Sequence, residues 1–95
     1  QVIILFPKNK KYSLGQKIDR ITLNLIEMIV TAGYLPHEQK LPVLKKISIQ
    51  LDIAKILLRL SFETKCIDSK KYQRLAAYLI EIGKMLGGWI KTFNE

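Results

Sequence analysis

The chain is poor in helix breakers, aromatic rings, cysteine and acid. Three prolines and five glycines are spread over 95 residues, so few positions interrupt a helix. Aromatic residues make up 8% while hydrophobic residues make up 48%, and the apolar content is mostly Ile and Leu. Alternating strand patterns, tandem repeats and low-complexity segments are missing. These absences favour a single all-α domain over residues 1–95. Cys66 is the one cysteine, which excludes an intramolecular disulfide and a cysteine-based zinc site and fits a reducing cytoplasm. No apolar run approaches the roughly 18 residues of a membrane span. QVIILF, residues 1–6, is expected to be neither a span nor a signal peptide. Acid is the last shortage: 8 Asp+Glu face 16 Lys+Arg, a net charge of +8. A polyanionic partner follows most simply, and nucleic acid is the simplest polyanion.

What is present divides into four apolar segments. QVIILF reads as the end of a first helix that begins before residue 1, stopped by Pro7 and a PKNKKY loop. A second helix is expected from Ser13, where Ser13-Leu14-Gly15-Gln16 has the form of a capping box. It runs to about Ala32, with Gly33 as a left-handed terminator. Leu14, Ile18, Ile21, Leu25, Met28 and Ala32 form its apolar stripe, opposite Lys17, Arg20, Asn24, Glu27 and Thr31. GYLPHEQKL reads as the longest internal loop, with Pro42 at the first position of a third helix. That helix carries two stripes, Leu44-Ile47-Leu51-Ala54-Leu58 and Ile49-Ile53-Ile56-Leu60. Apolar around most of its circumference, it belongs in the centre of a bundle or between subunits. A fourth helix follows from about Lys70 to Lys91, capped by Asp68 or Ser69, with Tyr72, Leu75, Leu79, Ile82, Leu86 and Trp89 as its stripe. Short connections make neighbours antiparallel, so the expected fold is an up-and-down four-helix bundle with an incomplete first helix.

Catalytic chemistry finds little material. His37 is the one histidine and falls in the expected loop. Glu27, Asp52, Glu63 and Glu81 stand apart, and the Glu-x-x-His pairs of di-iron bundles are missing, so no metal or other cofactor is expected. Cys66 at a helix end reads as a small, partly buried side chain. The informative charges are Lys55 and Arg59, four apart on one helix face inside the apolar stretch IAKILLRL. They can form a ladder with Asp52 and Glu63, or an exposed cationic seam for a phosphate backbone or an acidic protein surface. Lys70, Arg74, Lys84 and Lys91 make a second basic face with one acid, Glu81. Lys8, Lys10 and Lys11 make a third cluster. Gly83 and Gly87 are four apart, which permits a close helix crossing, within the chain or against another subunit, with Trp89 next on the main stripe.

SLGQKI (13–18), LDIAKILLRL (51–60) and above all EIGKMLGGWIK (81–91) resemble one known pattern. It is that of the four-helix-bundle family containing the diversity-generating retroelement accessory protein Avd and the ribosomal-RNA intervening-sequence proteins. Lys55, Arg59 and Trp89 make the Avd group the nearer likeness. The resemblance implies a non-enzymatic, cytoplasmic homopentamer of bacterial or phage origin. It also implies association with a reverse transcriptase and binding of RNA and DNA through a basic surface, in support of mutagenic cDNA synthesis from a template RNA. Membranes and small-molecule substrates have no place in it. Carried over by position, the contact residues are Lys55 and Arg59; Arg74, Lys84, Lys17 and Arg20 are further candidates. The family has arginine where this chain has Lys55, which keeps the charge but loses the planar fork for bidentate contacts. Gly83, Gly87 and Trp89 fall to assembly or helix packing. The alternative is a bundle of the intervening-sequence type that acts through protein contacts alone.

Overall fold

Three α-helices follow one another: α1 (Lys8–Gly33), α2 (His37–Glu63) and α3 (Ser69–Lys91), closed by a 3-10 turn at Thr92–Asn94. The computed structural model describes residues 8–94. α2 runs antiparallel between the other two and packs on both, while α1 and α3 touch each other far less. The molecule measures 46 × 24 × 21 Å, the proportions of side-by-side helices. The all-α class is therefore as expected. The fourth helix of the expected bundle, at QVIILF, lies outside the described residues.

The apolar stripes fold as their periodicity dictates. Ile18, Leu25 and Ala32 of α1 are buried, as are Leu44, Ile47, Leu51, Ala54 and Leu58 of α2 and Leu75, Leu79, Ile82 and Leu86 of α3. Two buried hydroxyls are satisfied locally: Thr22 donates to the Ile18 carbonyl at 2.9 Å and Ser61 to the Leu57 carbonyl at 2.7 Å. α2's second stripe behaves differently. Ile49, Ile53 and Ile56 are exposed although α2 is the middle helix.

The helix ends correct five expectations. α1 begins at Lys8, so residues 8–12 are helix and Ser13-Leu14-Gly15-Gln16 is helix interior instead of a cap. KNKKYS contains no breaker, and lysine is a good helix former. α2 begins at His37, so the loop shrinks to Tyr34-Leu35-Pro36 and Pro42 falls inside the helix. Pro36 takes the cap position at φ −58°, the angle its ring enforces, and its carbonyl accepts the Gln39 N–H at 2.9 Å. Pro42 is tolerated early in α2, where it and Glu38 are exposed. No glycine has a positive φ, so Gly33 is no left-handed terminator. Lys40 takes that role, its ammonium donating to the carbonyls of Ala32 at 3.0 Å and Gly33 at 2.9 Å, a cation at a helix C-terminus. The left-handed residue is Lys65, φ 61°, in the turn between α2 and α3. The cap of α3 is as expected: Asp68 accepts the Lys71 N–H at 2.8 Å.

Candidate nucleic-acid interface

Gly83 of α3 faces α2 where the two helices cross. A Cβ on Gly83 would meet Leu51 Cδ2 at 3.4 Å and the Lys55 ammonium at 3.8 Å. Leu51 therefore closes the crossing and Lys55 lies across the glycine. A groove runs along this seam, with Asp52 and Lys55 on the α2 wall and Gly83, Lys84 and Gly87 on the α3 wall. Nothing lies within 4 Å of a Cβ on Gly87, so the groove is open there. Gly83 thus makes a helix contact within the chain, and Trp89 does the same, its ring reaching 4.0 Å from a Cβ on Gly33.

Two cations from separate helices, Lys55 and Lys84, line this groove. Arg59 stands one turn along α2, its side chain 76% exposed and 3.7 Å from Glu63. That pair is the half of the expected ladder that forms; Asp52 and Lys55 form no ion pair among the described residues. An exposed pair of this length holds Arg59 only weakly, so its guanidinium remains free to exchange partners. Asp52 moderates the groove's charge without cancelling it.

The other candidate cations stand elsewhere. Arg74 shares its α3 flank with Lys71 and Tyr78, turned toward α1, where Lys71 reaches Asp19 at 2.9 Å. Lys17 and Arg20 are exposed on the outer face of α1. Of the six cations only Lys55 and Lys84 line the groove, with Arg59 beside it on α2. Lys91 continues the Lys84–Gly87 stripe and is exposed. Its spacing of seven from Lys84 is the sequence signal for that placement.

At the end of the bundle opposite Lys71, Lys40 lies 5.5 Å from the centre of the Trp89 ring while it caps α1. His37 stacks on Phe93, ring centres 4.6 Å apart, so the one histidine opens α2 instead of lying in a loop. Among the described residues no group of three or more His, Cys, Asp or Glu side chains is placed to hold a metal ion. None of the described helices is long and apolar enough to cross a membrane.

The fold and groove define a class first: a small helical bundle with cations gathered along an open interhelical seam. A family model described as bAvd-like matches residues 1–93, and the chain belongs to that family. No curated protein and no solved structure matches it.

Proposed function

We propose that this chain is a non-enzymatic accessory protein of a diversity-generating retroelement. It binds template RNA and cDNA along the α2–α3 groove, associates with the reverse transcriptase and with copies of itself, and works in the cytoplasm. The observation that carries the reading is that Lys55 and Lys84 line one glycine-floored groove in a member of the bAvd-like family. Backbone phosphates suit such a site. Lysines act as point charges on phosphate, and an open floor lets an extended strand approach. Recognition of this kind is indifferent to base sequence and sensitive to salt.

The expected bundle of four helices is part of the reading. Asp19 and Gly33, at the two ends of one α1 flank, are tied to Lys71 and Trp89 of α3. Between these ties Leu23, Ile26 and Val30 of α1 and Tyr78 and Met85 of α3 are exposed. That apolar flank is where a fourth helix packs, and QVIILF is the chain's own apolar segment next to α1.

Binding of a single-stranded RNA, followed by fluorescence anisotropy at several salt concentrations, tests the function. The unaltered chain binds at about 50 mM salt and loses affinity steeply toward 200 mM. Lys55→Ala/Lys84→Ala weakens binding and flattens the log–log salt slope by roughly one to two. Absence of binding at the lowest salt sinks the nucleic-acid reading. A specific observation favours the intervening-sequence alternative in that event: Ile49, Ile53 and Ile56 are exposed, as a protein-contact surface requires.

A further inference from the structure

One acid lines the α2–α3 groove. Asp52 shares the α2 wall with Ser48 and Lys55, and Lys84 stands on the α3 wall. A carboxylate in a groove for phosphates works against the binding. Three residues before Lys55, Asp52 is close enough for an ion pair along the helix, yet none forms among the described residues. Lys55 reaches across to α3 instead, its ammonium 3.8 Å from the position of a Cβ on Gly83. Arg59 is engaged by Glu63. Asp52 is exposed, and no cation of the chain occupies it.

The surroundings of Asp52 suit a sugar. α2 and α3 are antiparallel, and Leu51 and Lys55 stand level with Gly83. Asp52 therefore lies between the levels of Gly83 and Gly87, the two places on the α3 wall without a side chain. Nothing lies within 4 Å of a Cβ on Gly87, so this stretch of groove is open. Along α2, Asp52 is about 4.5 Å from Lys55 at 1.5 Å per residue. A strand whose phosphate rests on Lys55 and Lys84 thus brings a neighbouring sugar to Asp52. No aromatic ring lines the groove, so bases find no stacking platform there. A carboxylate only accepts hydrogen bonds. From a ribose 2′-hydroxyl it accepts a charge-assisted one, which offsets its repulsion of phosphate. Deoxyribose has no 2′-hydroxyl, so DNA meets the repulsion alone.

We infer that Asp52 makes the groove selective for RNA over DNA, accepting a hydrogen bond from a ribose 2′-hydroxyl while Lys55 and Lys84 hold the adjoining phosphates. The inference rests on the nucleic-acid reading of the groove and adds a ranking to it. A template RNA is held more tightly than its cDNA copy, so the product leaves before the template does.

Fluorescence anisotropy with the full chain tests it, using one labelled oligoadenylate in ribose, deoxyribose and 2′-O-methyl forms at about 50 mM salt. The 2′-O-methyl form keeps the sugar oxygen and lacks the proton that Asp52 accepts. The unaltered chain binds the ribose form roughly tenfold more tightly than the other two. Asp52→Ala, at an exposed helix position, leaves the helical circular dichroism unchanged. It tightens the deoxyribose and 2′-O-methyl complexes, leaves the ribose complex within about twofold, and brings the three affinities together. Binding without preference in the unaltered chain overturns the inference and leaves the nucleic-acid reading standing. A preference that survives Asp52→Ala, with all three complexes tightened equally, does the same. Absence of binding to every form overturns both.

Discussion

Single residues decide this structure through their backbones as much as their side chains. Gly87 occupies an exposed helix position with open space around its missing Cβ. Gly87→Ala is expected to raise stability by roughly 0.5–1 kcal/mol, read from the midpoint of urea unfolding, because alanine recovers helix propensity and meets nothing. Gly83 is not equivalent. A methyl there meets Leu51 at 3.4 Å and the Lys55 ammonium at 3.8 Å, so its effect is felt in the groove. The open face of Gly87 supports groove access, and Gly83→Ala set beside Gly87→Ala separates packing from access. Lys65 illustrates the opposite case, a side-chain-bearing residue held at φ 61° where glycine is easier.

At the scale of elements, caps and corners hold the helices in place. Asp68 alone starts α3, its carboxylate accepting the Lys71 N–H. Asp68→Ala is expected to cost about 1 kcal/mol in thermal or urea unfolding, with Asp68→Ser recovering most of it. The buried stripes of all three helices were legible in the sequence because 3.6-residue periodicity is a local property. The ends of α1 and α2 were less so. Pro36 and Pro42 both satisfy the rule for a helix start, and periodicity cannot rank them; only the cap geometry at Pro36 does. Gly33 looked like a terminator because glycine usually is one. Here an ammonium eight residues away from Ala32 supplies what a left-handed turn otherwise would. That Lys55 and Lys84 line one groove was hidden for a different reason, since it depends on the register between two helices. Gly83 hints at that register without fixing it.

Over the whole molecule, the two ends of the bundle are tied in different ways. One end relies on the Lys71–Asp19 ion pair between α3 and α1, at 2.9 Å. The other gathers α1, α2 and α3 around Lys40, which caps α1 from α2 and lies over Trp89 of α3. Lys40→Met keeps the aliphatic stem and removes the charge. It is expected to cost about 1–2 kcal/mol in urea unfolding, since two helix-terminal carbonyls lose their donor and the ring loses its cation. The outward-facing surfaces divide the remaining work. The α2–α3 groove gathers Lys55 and Lys84, the outer face of α2 presents Ile49, Ile53 and Ile56, and the α1–α3 flank presents Leu23, Ile26, Val30, Tyr78 and Met85.

The position of Trp89 has a practical side as well. The chain has one tryptophan, and it sits where all three helices converge beside a cation and Gly33. Its emission is therefore a built-in optical gauge of that corner. Loosening of any one helix there changes the polarity around the indole, while events confined to the Asp19–Lys71 end leave its emission unchanged. Two spectroscopic handles on one small protein follow, tryptophan emission for the closed corner and circular dichroism for the helices as a set. A lag between them reveals which end of the bundle opens first.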